Sequence, residues 1–81
     1  MVNVIFDYNM LIGKIIEKYG TRSKFAKAMD LSEHSMSRKL NSQVPFTQPE
    51  ISKSCELLEI PNTEIGTYFF RAKVQKIEHV N

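Results

Sequence analysis

The chain contains one cysteine, no tryptophan, three glycines and three prolines among its 81 residues. A single cysteine excludes an intramolecular disulfide and any four-cysteine zinc site. The two histidines, His34 and His79, lie far apart in sequence, so no metal site is expected. No stretch approaches the roughly 20 apolar residues that a membrane-spanning helix needs. The opening residues, Met-Val-Asn-Val-Ile-Phe-Asp, place no basic stretch before an apolar run, so no secretory signal is expected and the cytoplasm is the default location. No glycine-rich loop precedes a helix. The adjacent Glu33, His34 and Ser35 diverge when placed on one helix. No catalytic set is visible, so the chain reads as a non-enzyme that needs no cofactor and takes no small-molecule ligand.

What remains describes one small globular domain spanning residues 1–81. Hydrophobic residues make up 42% and charged residues 25%, ordinary values that argue against disorder. A chain this short buries little over half of its unfolded surface, so its stability margin is modest. The formal net charge of +2 is unevenly spread. Residues 1–43 hold seven Lys/Arg against four Asp/Glu, and residues 44–81 hold four against five. That asymmetry fits either one basic face or an ordinary solvated surface.

Helical signals dominate. Tyr8, Leu11, Ile12, Ile15, Ile16 and Tyr19 step by three and four and make one apolar stripe. Asp7 stands before them as a cap and Gly20 after them as a stop, which predicts a helix over 8–19. Gly13 inside it is best explained by close helix packing. Thr21 caps a short helix over 22–29 with Phe25, Ala26 and Met29 inward. Asp30 and Leu31 form a tight turn. Ser32 caps a helix over 33–40 with Met36 and Leu40 inward. Pro45 keeps Val44 out of the helical region, so residues 41–46 read as a loop. Thr47 and Glu50 form a capping box with Pro49 in the first turn, opening a fourth helix to about residue 58 that buries Ile51, Cys55 and Leu58. After Pro61 a short fifth helix turns Ile65, Tyr68 and Phe69 inward. The alternation over 2–6 and 71–76 predicts two short strands. A lone strand has no partner, so the termini are expected to pair as a two-stranded β ribbon.

The informative stretch is residues 21–41. Two helices joined by a short turn cross steeply, which needs a small residue at the crossing, a plugged turn and apolar residues at fixed offsets. Ala26, Leu31 and Met36 meet those needs, so the second helix protrudes far enough to enter a major groove about 12 Å wide. The pattern Phe25-Ala26, Met29, Leu31-Ser32, Met36-Ser37-Arg38 and Leu40-Asn41 resembles the helix-turn-helix domain of the phage Cro and repressor family, in particular small Cro-like phage regulators, over residues 8–70. That resemblance implies a mostly α, five-helix lambda-repressor-like domain with the terminal ribbon as an addition. Three positions depart from the family pattern. Asp30 stands where glycine is usual and Arg22 where glutamine is frequent. Lys39 stands where an apolar residue is favoured, with Leu40 supplying the packing.

On this reading the chain is a sequence-specific transcriptional regulator, a Cro-like repressor, that binds a double-stranded DNA operator. Base contacts are expected from Glu33, His34, Ser37 and Arg38. Arg38 can pair bidentately with guanine, or else touch phosphate or solvent. Glu33 can accept from cytosine or simply favour the helix N-terminus. His34 can touch a base, a phosphate or neither. Thr21, Arg22, Lys24, Lys39, Ser42 and Gln43 are the expected phosphate contacts, each with a solvated surface residue as the alternative. One copy covers only one half-site, which points to a homodimer with recognition helices about 34–36 Å apart. The ribbon or the fifth helix would supply its contact, unless the ribbon only ties the termini to the domain. A different class also fits: an antirepressor or protein-interaction module of the same fold that binds another regulator.

Overall fold

A computed structural model describes residues 5–73. The order is α1 (Asn9–Tyr19), α2 (Arg22–Ala28), α3 (Glu33–Leu40), α4 (Gln48–Leu58), a 3-10 turn (Asn62–Glu64) and α5 (Ile65–Phe69). The domain is mostly helical, with five α-helices among the described residues. None of these helices is long and apolar enough to cross a membrane.

Local chemistry sets the helix ends. α1 opens one residue later than the apolar stripe suggests, with Tyr8 at the cap position and no side-chain cap bond; Asp7, one residue further out, accepts from the Asn9 amide at 2.9 Å instead of capping the helix. Gly20 ends it at φ +83°, where its N–H donates to the Ile16 carbonyl at 2.9 Å. The hydroxyls of Thr21 and Ser32 accept from the amides of Lys24 at 3.1 Å and Ser35 at 3.0 Å. Both halves of the Thr47–Glu50 capping box form, at 2.9 and 3.3 Å. α4 ends on Glu59, left-handed at φ 56°, where the Ile60 amide donates to the Cys55 carbonyl at 2.9 Å. That six-to-one bond with a buried residue beyond it is a Schellman-type stop.

Leu11 and Ile15 of α1, Phe25 and Ala26 of α2, Met36 and Leu40 of α3, Cys55 and Leu58 of α4 and Phe69 of α5 meet in one core. Burying each of the larger apolar side chains contributes about 1.5–3 kcal/mol. A line of edge-on aromatic contacts closes one side: Tyr8 to Phe46 at 5.3 Å between ring centres and Phe46 to Phe69 at 5.4 Å. Phe25 packs on Tyr19 in the same way at 5.3 Å, so these rings belong to the core, as their helical spacing indicates.

Three expectations need correction. The apolar stripe of α1 is narrower than its sequence, because Ile16 lies 44% exposed. Ile15, fully buried, holds the inward position, and its successor is rotated about 100° away. Gly13 is not a close-packing site, since a Cβ added there would meet nothing within 4 Å. The β ribbon is not seen. The described residues hold a single antiparallel bridge, Phe6 to Ala72, flanked by Asp7 N–H to Arg71 O and Lys73 N–H to Ile5 O, both 2.7 Å. The rest of segments 2–6 and 71–76 lies outside the described residues. Phe6 turns its own amide and carbonyl the other way, onto Ser42: its N–H donates to the Ser42 hydroxyl at 3.0 Å, and that hydroxyl donates to its carbonyl at 3.2 Å. The outer edge at this point is therefore occupied within the domain.

Gly13 yields a stability prediction. Gly13→Ala should raise the unfolding free energy by up to about 1 kcal/mol, because helix propensity improves and nothing obstructs the methyl group. Urea denaturation reads this directly, and a loss of stability would show that the α1 surface at Gly13 is in contact after all.

Candidate functional site

α2 and α3 are joined by a turn whose backbone is held by hydrogen bonds. Asp30 is left-handed at φ 59°, a conformation that aspartate tolerates better than most residues. The Leu31 amide donates to the Ala26 carbonyl at 2.9 Å. Ala26 is 1% exposed and Met36 1% exposed, so the crossing rests on the small residue and the methionine that the pattern identifies.

The outer face of α3 carries Glu33, His34, Ser37 and Arg38, all exposed. Arg22 and Ser23 from the start of α2 join Glu33, Met36 and Ser37 around a 200 Å³ notch between the two helices. Lys24 lies exposed beside it, and Gln43 follows in the loop, also exposed. Thr21 is exposed, but its hydroxyl serves as the cap of α2. Six of the expected contact residues, together with Thr21 and Gln43, thus remain on one accessible side.

Lys39 and Ser42 do not. Lys39 is 7% exposed. Its ammonium donates to Glu50 Oε1 at 2.9 Å and to the Pro45 carbonyl at 3.0 Å, and lies 5.9 Å from the centre of the Phe46 ring. This corrects its assignment as a phosphate contact. The side chain occupies the inward position where related motifs favour an apolar residue, using its methylene stem for packing and closing its charge on a carboxylate. α3 consequently stays regular through Leu40, and both residues pack inward. Ser42, half-buried at φ 60°, is committed to Phe6, which corrects its assignment too.

Burial pushes the Glu50 carboxyl upward, but the Thr47 amide and the Lys39 ammonium outweigh that and hold it below its ordinary range. Burial also raises the Tyr8 hydroxyl, against a smaller opposing bond from Ser42, and it raises the Cys55 thiol. The buried thiol is an inert core group.

Two concavities escaped sequence reasoning. A 470 Å³ cleft between α4 and the chain that follows is lined by Ile51, Cys55, Ile60, Ile65 and Phe70, with Gln48 and Glu56 among its polar residues. A 300 Å³ polar pocket gathers Asn9, Arg22, Asn41 and Lys73. Both join residues far apart in the chain, and neither leaves a local signature.

The fold and this face define a small helical domain that presents a turn-linked pair of short helices as its accessible polar surface. The chain belongs to the family described as "Protein of unknown function (DUF739)", which matches residues 4–72. It is similar to the solution structure of the modulator of repression (MOR) of the temperate bacteriophage TP901-1 from Lactococcus lactis, with 48% sequence identity, 86% of this chain and 95% of that chain covered, and a TM-score of 0.74. No curated protein matches the sequence.

Lys39 and Lys24 separate structural from surface roles. Lys39→Ala leaves the Glu50 carboxylate in a partly buried place without its ammonium and should lower stability by about 1–3 kcal/mol. Lys24→Ala, on an exposed face, should stay within about 0.5 kcal/mol of the parent. The depressed Glu50 carboxyl stabilises the fold above the unfolded carboxyl value, about 4.3, and that contribution disappears as pH falls through the lower folded value. Acid titration of the melting temperature should therefore show a loss below pH of about 4.3 that shrinks in Lys39→Ala. Equal stability of the two lysine variants would contradict the inward placement.

Proposed function

We propose that this chain is a phage regulatory protein that modulates repression by binding a repressor protein of the same phage through the outer face of α2 and α3. The observation that carries this reading is the 48% identity to a modulator of repression across 95% of that chain. Modulating repression presupposes a repressor, and that repressor is the natural first target. The inward turn of Lys39 and Ser42 supports a protein target. A helix lying in the major groove draws most of its affinity from phosphate contacts along its flanks. On the α3–α4 side only Gln43 remains of the three flanking contacts expected there, and it carries no charge. The reading places the protein's action in the cytoplasm.

One observation favours a second reading, direct operator binding as a Cro-like homodimer. Arg22, Lys24 and Arg38 are exposed and have no carboxylate partner among the described residues, and a basic helix pair suits DNA.

Calorimetric titration against the phage repressor, run beside selection of bound duplexes from a random DNA pool, decides between them. The expected result is saturable binding to the repressor that weakens about tenfold or more in Arg38→Glu, with no enriched duplex for the protein alone. If the pool instead yields a pseudo-palindromic site whose preference at one base relaxes in Arg38→Ala by about 1–3 kcal/mol, the operator reading replaces the first.

A further inference from the structure

The terminal bridge builds a site that no single segment contains. The Lys73 amide donates to the Ile5 carbonyl and the Asp7 amide to the Arg71 carbonyl, each at 2.7 Å. This fastens the chain after α5 against the chain before α1 and carries Lys73 to the start of α2. There it shares a 300 Å³ pocket with Arg22, 51 positions earlier in sequence. The amide side chains of Asn9 and Asn41 line the same pocket, and Ile12 and Leu40 add apolar wall. One acid, Asp7, is also present, with Oδ1 accepting from the Asn9 amide. Neither Arg22 nor Lys73 has a carboxylate partner among the described residues.

From this juxtaposition we infer that the pocket between α1, the start of α2 and the end of α3 takes a carboxylate side chain, an Asp or Glu, from the protein partner, held by Arg22 and Lys73. The inference rests on the repressor-binding reading above and names the chemistry of one of its contacts. Arginine presents a planar fork that matches a carboxylate bidentately, and lysine adds a compact second charge. The apolar wall suits the methylene stem of an acidic residue. The pocket opens beside α2, next to the face assigned to the repressor, so one partner can occupy both.

The test is an amide-resolved NMR titration of the full chain with the α-N-methylamide of N-acetylglutamate, the α-N-methylamide of N-acetylglutamine and inorganic phosphate, followed by repressor titration of Lys73→Glu and Arg22→Gln. Lys73 and Arg22 are exposed, so both variants should keep the parent melting temperature. The glutamate derivative should shift the amides of Arg22, Asn41 and Lys73 saturably, the neutral glutamine derivative should not, and Lys73→Glu should abolish the shifts. Repressor affinity should fall about tenfold or more in Lys73→Glu and less in Arg22→Gln. Absence of a saturable shift at those amides, or shifts equal for acid and amide analogues, overturns the inference. Shifts from phosphate alone, with duplex DNA affinity lost in Lys73→Glu, overturn it in favour of a nucleic-acid backbone. Glutamate binding without any repressor binding by the parent protein leaves the pocket assigned and removes the functional reading instead.

Discussion

The packing of α2 against α3 around the Asp30 turn is the constraint on which the rest of the molecule depends. With seven and eight residues, these helices are too short to hold themselves in water. They exist because Ala26 lets them approach, Asp30 turns left-handed at φ 59° between them, and Phe25, Met29 and Met36 are buried beneath. Once Met36 and Leu40 are fixed inward, helical geometry turns His34 and Arg38 to the opposite side and Ser37 to its flank, and Glu33, in the first turn, is exposed as well. The exposed face is thus a consequence of the core. A change that widened the crossing at Ala26 would alter the orientation of all four outer residues together.

Glu50 has a comparable role at the other end of α3. One oxygen accepts from the Thr47 amide and from the Lys39 ammonium, both at 2.9 Å. The same carboxylate therefore starts α4 and anchors the last turn of α3, with the loop between them gathered over Phe46. A partly buried ion pair by itself is weak support for stability. Here each partner is also engaged in further hydrogen bonds, and no buried side-chain nitrogen or oxygen among the described residues lacks a partner. The arrangement makes sense of a lysine at a position that geometry reserves for the interior.

What could be read from the sequence follows from the range of each interaction. Thr21, Ser32 and Thr47 each bond an amide three residues ahead, and Gly20 bonds four back. Such contacts are encoded within one turn, so the helix over 33–40 is found with the bounds expected and the first, second and fourth within a residue or so, while the fifth, expected from residue 62 or 63, begins as a 3-10 turn and is α-helical only from Ile65. The errors at Ser42 and Lys39 involve partners outside the local turn. Nothing near Ser42 announces Phe6, 36 positions away, yet that bond takes Ser42 from the outer face and closes the edge at Phe6. Lys39 looks like surface charge until Glu50 is placed beside it, and Ile16 looks like core until Ile15 is seen to have no exposure. The outer residues His34, Ser37 and Arg38 were legible because their exposure is set by a periodicity the sequence displays, and Glu33 because it follows the Ser32 cap in the first turn. Their ligand was not legible, because exposed polar side chains on a helix suit a base edge and an acidic side chain alike.

The pattern of ion pairing sharpens that last point. Lys14 pairs with Glu17 at 3.7 Å, Lys18 with Glu59, Lys39 with Glu50 at 2.9 Å and Lys53 with Asp30 at 3.3 Å. The pairs other than Lys39–Glu50 are exposed and add little stability, but each of the four also cancels a positive charge locally. Among the described residues, the cations of α2 and of the outer face of α3, namely Arg22, Lys24, Lys27 and Arg38, have no such partner. Beyond a Debye length of about 8 Å at physiological salt a paired lysine is nearly invisible, so the field that a partner meets is stronger on this face than the net charge of +2 implies. That field selects an anionic surface without choosing between phosphate and carboxylate. The choice falls to shape: evenly spaced phosphates reward cations on both flanks of α3, whereas a folded acidic protein surface can be met from the α2 side alone. With Lys39 drawn into the domain and Lys73 brought to Arg22, the uncompensated charge lies mostly on that one side.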